Sequence, residues 1–189
     1  MDVTKESIAH PGLSAEAIFY SGENFQIAAY HLTEMTGHVD PWHVGYPVIH
    51  LTCISVELYL KCLAYLHKGA VVRGHDLHRL FMELPKAERN SLSHLWESNF
   101  AKSIYGALDP ETRGNIPWPP TLVDALAMGG RAFEKSRYIW EDTSSIFMLS
   151  DLPEMLRRYI LARHPSWNRF YRPKPITYAF GYWHGAASS

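Results

Sequence analysis

Apolar positions recur along this chain with helical spacing. Phe25, Ala28, Ala29, Leu32 and Met35 fall at i, i+3, i+4, i+7 and i+10, predicting an amphipathic first helix. Ser14 is placed to cap it and Glu16 lies in its first turn. Gly22 is expected either to bend this helix or to mark its true start. The stretch Thr36–Pro47 (TGHVDPWHVGYP) holds two glycines and two prolines and reads as a loop. A second helix, from about Pro47 to Lys68, is apolar nearly all round and is expected to be the central element. Its polar residues line up: at 100° per residue, His50, Glu57, Lys61 and Lys68 fall within about 40° of one another.

After a turn ending at Gly74, Leu77, Leu80, Phe81 and Leu84 predict a third helix, with Asp76 complementing its N-terminal dipole. Pro85 breaks it and opens a continuation carrying Leu92, Leu95 and Trp96. Gly106–Pro120 is the longest internal loop and a candidate lid. A fourth helix is expected over Thr121–Glu141, with Leu126, Phe133 and Trp140 as its seam and Arg137 turned inward. A last helix, capped by Ser150, ends before Pro165. No strand-like alternation or internal repeat interrupts this series. The expected fold is all-α: an up-and-down bundle of about five helices over residues 1–164, followed by a Pro- and aromatic-rich basic arm over 165–189.

Composition fits that picture. The 189 residues are 47% hydrophobic and 20% charged, enough for one sizeable core. The net charge of −1 does not advertise a nucleic-acid partner, but it divides into −7 for residues 1–154 and +6 for the remainder. From Met155 onward Arg157, Arg158, Arg163, Arg169, Arg172 and Lys174 meet no Asp or Glu, so this segment is expected to face an acidic surface: phosphate, another protein, or its own body. Cys53 and Cys62, nine residues apart on one predicted helix, are separated by roughly 13 Å of rise, too far to bridge one another. Two unpaired thiols suit a reducing, cytoplasmic setting, and the opening MDVTKES has no leader pattern. Glu57 and Lys61 sit near the centre of the most membrane-like stretch, Val48–Leu66, so a buried helix is expected there and no membrane partner.

Two phrases carry a family resemblance. Val56–Leu66 (VELYLKCLAYL) followed by Gly74–Leu80 (GHDLHRL), and later Phe133–Glu141 (FEKSRYIWE), resemble the HEPN superfamily of higher eukaryote and prokaryote nucleotide-binding domains. The likeness spans roughly Glu16 to His164. It implies a helical bundle that often forms a homodimer, with roles from binding and scaffolding to metal-independent RNA cleavage in toxin and defence systems, sometimes with a partner protein encoded nearby. Catalytic members separate an Arg from a following His by four to six intervening residues. The His moves a proton at the ribose 2′-hydroxyl or leaving oxygen, and the Arg holds the phosphate. Arg157 or Arg158 with His164 matches that spacing on the last helix, as does Arg73 with His78 across a loop. The competing reading is a helix end whose cations complement its dipole.

A second candidate site is polar. With the second, third and fourth helices packed together, Glu57 and Lys61 would face Arg137, with His75 and Asp76 at one end and Tyr138 and Glu141 at the rim. Lys61, Arg137 and His75 could then bind a phosphate or nucleotide; alternatively these charges form a satisfied buried network. His75 and His78 lack completing ligands, so no metal is expected, nor any cofactor. His38, His43 and His50 form no recognised metal pattern, Ser144 and Ser145 read as loop residues, and there is no phosphate-binding Gly loop, GxSxG or HExxH. The arm PSWNRFYRPKPITYAFGYWH mixes cations with aromatics, suiting either stacking on single-stranded bases or packing across its own domain. Three functions stand: a nucleotide- or RNA-binding module, a metal-independent endoribonuclease, and a protein-association scaffold.

Overall fold

A computed structural model describes residues 13–35, 41–100, 121–129 and 151–169. Among the described residues there are six α-helices and no strand: α1 (Ala15–Glu34), α2 (Pro41–Lys68), α3 (Leu77–Met82), α4 (Lys86–Phe100), α5 (Leu122–Met128) and α6 (Leu152–Arg163). A 3₁₀ turn, Pro165–Trp167, follows α6. The chain is thus an all-α bundle.

Four of the six starts have a local cause. Ser14 Oγ accepts from the Ala17 amide at 3.1 Å, and Asp76 Oδ1 from the Arg79 amide at 2.8 Å. The Pro85 carbonyl accepts from the Glu88 and Arg89 amides, both at 3.0 Å, so the expected break opens α4 directly. Thr121 caps α5. Gly74, at φ 102°, adopts a left-handed conformation in the turn before Asp76, where any side chain would be strained.

The central helix is α2, which packs against α1, α3 and α6. Val56, Tyr59, Leu60 and Leu63 are fully buried there against Phe19 of α1, Leu80 of α3 and Leu156 of α6. Burying each large apolar side chain contributes about 1.5–3 kcal/mol. By length and composition Gly45–Lys68 could also cross a membrane, and most of its apolar stretch is buried inside the bundle.

Four expectations need correction. The predicted loop ends sooner than Pro47: α2 begins at Pro41 and contains Pro47. A proline at the first position of a helix gives up nothing, because that amide has no helical acceptor. Pro47 removes one internal bond, which the long apolar helix beyond it tolerates. The buried face of α1 is Ala15, Ile18, Phe19, Gly22, Glu23, Gln26 and Ala29, whereas Met35 of the predicted seam is exposed. The α5 helix stops at Met128, capped by Gly129, and the rest of the predicted fourth helix, 130–141, lies outside the described residues. The N-cap of α6 is Asp151, with no side-chain capping bond, and Pro153 enters its first turn.

Candidate functional site

The polar stripe of α2 turns toward its neighbours. The Glu57 carboxylate is 7% exposed and the Lys61 ammonium side chain 14%, with Lys61 Nζ 2.7 Å from Glu57 Oε1. His75, half-exposed in the turn before α3, places Nδ1 3.0 Å from both Glu57 oxygens. Asp76 caps α3 and does not join them. Farther along, Lys68 pairs with Glu83 and His67 with Glu88 of α4. Glu88 is buried beside Tyr159, whose phenol is pushed up by burial and then by that carboxylate. Arg137, Tyr138 and Glu141 lie outside the described residues, so the structure brings together Glu57, Lys61 and His75 of the predicted constellation.

The cations of α6 and of the segment just after it fall into two classes. Arg157 is buried, with Nε donating to Glu23 Oε1 of α1 at 2.8 Å and Nη1 3.9 Å from Glu154 Oε2. Arg158 is exposed, with Nε donating to Glu154 Oε1 at 2.7 Å. Around them runs a connected buried network. The Tyr59 hydroxyl donates to Gln26 Oε1 at 2.6 Å, and Gln26 Nε2 donates to Glu154 Oε2 at 3.0 Å. Burial, then the Glu23 carboxylate, hold the Tyr59 phenol well above its ordinary range. Ser55 Oγ donates to the Gly22 carbonyl at 2.9 Å beside it.

Arg163 and Arg169 form the other class. The Arg163 guanidinium carbon lies 3.5 Å from the centroid of the Tyr159 ring, and that of Arg169 lies 3.4 Å from the Tyr20 ring. Both are exposed, and neither pairs with a carboxylate among the described residues. His164 sits between them in the chain as the C-cap of α6, stacked on Trp167 at 4.3 Å and 15°. Arg157 and His164, seven residues apart, share one side of α6 about 10 Å apart along its axis. The guanidinium of Arg157, however, is held at the level of Glu23. Of the basic arm, Pro165–Arg169 lies against α1 through Trp167 on Phe19 and Arg169 on Tyr20, and the rest is outside the described residues.

Sequence reasoning missed Glu23, Gln26, Tyr59 and Glu154. A signal was present: Ala15, Ile18, Phe19, Gly22, Glu23, Gln26 and Ala29 also share helical spacing, once the two polar residues Glu23 and Gln26 are admitted to a buried face. No group of three or more His, Cys, Asp or Glu is gathered for a metal ion among the described residues. Comparison with family models, curated proteins and solved structures returns no match to this chain.

Proposed function

We propose that this chain is a HEPN-like helical module that associates with RNA or nucleotides through the C-terminal end of α6. The partition of its cations carries the reading. Arg157 and Arg158 are neutralised by Glu23 and Glu154, while Arg163 and Arg169 are poised over tyrosine rings with no carboxylate attached. Arg163 donates from Nη1 to the Tyr159 carbonyl at 3.1 Å and keeps its remaining donors for phosphate, and a guanidinium held over a ring has already lost part of its side-chain freedom. A buried, paired Arg157 favours binding over cutting. Homodimerisation and a reducing compartment belong to the same reading; the first comes from the resemblance and the second fits the free thiols of Cys53 and Cys62.

One observation favours the endoribonuclease reading instead. Arg158 is 70% exposed and lies six residues before His164. Labelled RNA incubated with the purified protein in EDTA separates the two. Retention without cleavage, weakening steeply with salt, is expected. Cleavage that His164→Ala abolishes would establish the nuclease. Absence of any RNA or nucleotide affinity at low salt leaves the protein-association scaffold.

A further inference from the structure

The ring contacts at the end of α6 add to the cation pattern, and what they add rests on the RNA-binding reading above. They run without a break across α1, α6 and the 3₁₀ turn. Phe19 meets Tyr20 edge-on and Trp167 at a tilt, each with centroids 5.6 Å apart, and Trp167 lies parallel to His164. Arg169 covers Tyr20 at one end of this series, and Arg163 precedes His164 at the other. Trp167 packs against the hydrophobic core, which anchors the stack, yet both His164 and Trp167 remain partly exposed.

A site for phosphate alone would need only the two arginines. A parallel pair of flat rings between them suits a ligand that alternates π-faces with phosphates. Duplex RNA hides its base faces, whereas an unpaired strand presents them. We propose that single-stranded RNA docks here, with an unpaired base extending the His164–Trp167 stack and Arg163 and Arg169 holding the flanking phosphates. Two opposing charges lie nearby and both are engaged: Glu16 Oε1 accepts from the Tyr20 hydroxyl at 2.9 Å, and Glu88, beside the Tyr159 ring that Arg163 covers, pairs with His67.

Three fluorescent probes of equal length test this with the full chain: a non-cleavable 2′-O-methyl oligouridylate, its abasic counterpart with the same backbone, and a 2′-O-methyl duplex. The oligouridylate is expected to bind about tenfold tighter than either other probe, the range one stacked base supplies. His164→Ala should reduce it to the abasic level while leaving abasic binding and the melting temperature unchanged. Trp167→Leu, which keeps an apolar anchor on Phe19, should do the same if the first variant folds poorly. Equal affinity for the oligouridylate and abasic strands, or a preference for duplex, would overturn the stacking proposal and leave RNA binding standing. No binding to any of the three at low salt would remove both.

Discussion

Arg157 and Glu23 meet across the α1–α6 seam with Nε and Oε1 2.8 Å apart, and each side chain is less than a tenth exposed. Neither charge can be solvated if the other is removed. Arg157→Met is therefore expected to cost about 3–5 kcal/mol in urea unfolding, with Glu23→Leu plus Arg157→Met recovering most of it. A loss below about 1 kcal/mol for the single variant would show the pair to be as weak as a surface one.

Gly22 gives a second test of the same seam. A Cβ there would stand 3.0 and 3.1 Å from two Tyr59 ring carbons and 3.3 Å from Leu58 Cβ. Alanine ordinarily gains about 1 kcal/mol over glycine within a helix. Here the ring is fully buried and tethered by its hydroxyl to Gln26, so it has little room to retreat. Overpacking costs about 1–3 kcal/mol. Gly22→Ala should thus destabilise by about 1 kcal/mol, and a rise in melting temperature would contradict the packing described.

Burial pushes both the Cys53 and Cys62 thiols up to about 12, aided by Glu57 and Glu88 respectively. From their ordinary value of 9.0 up to about 12, the unfolded chain gives up these protons while the folded chain keeps them. Their contribution is whole below pH 9 and shrinks as pH rises toward 12. Urea midpoints should accordingly fall across this interval, and Cys53→Ala with Cys62→Ala should flatten the first part of the fall. Rapid alkylation of either thiol in the native protein near pH 8 would refute it.

Arg169 should report phosphate contact separately from stacking. Arg169→Gln is expected to weaken oligonucleotide binding and to lower the slope of log affinity against log salt by about 0.7, the single-strand value for one phosphate. An unchanged slope would place the phosphate elsewhere.

Much of the architecture was legible because its causes are local. Ser14, Asp76 and Pro85 announce helix starts through bonds to amides three or four residues away. The centrality of α2 follows from apolar residues on all its sides. The α1–α6 seam was hidden because it reverses the usual rule that charge faces water. Glu23 belongs to a buried face only because Arg157, 134 residues later, completes it. Pro41 and Pro47 misled for a different reason: a proline's meaning depends on its position in the helix, which periodicity does not supply. The pairing of Glu57 with Lys61 could be read from their spacing of four. That of Glu57 with His75 required knowing how the turn at Gly74 folds back.

Glu23 and Gln26 of α1 meet Arg157 and Glu154 of α6 in opposite order along the chain, and this late pairing also orders events in time. During synthesis α1 and α2 can form their apolar contact early, but Glu23 and Gln26 must wait against it until residues 154 and 157 leave the ribosome. For most of that interval the nascent hairpin holds a carboxylate beside Tyr59 with no guanidinium to neutralise it. Final closure then spans most of the chain, and its entropic cost rises only slowly with length. Loss of α6 would thus leave Glu23 without its Arg157 partner on the face of the helix pair already made.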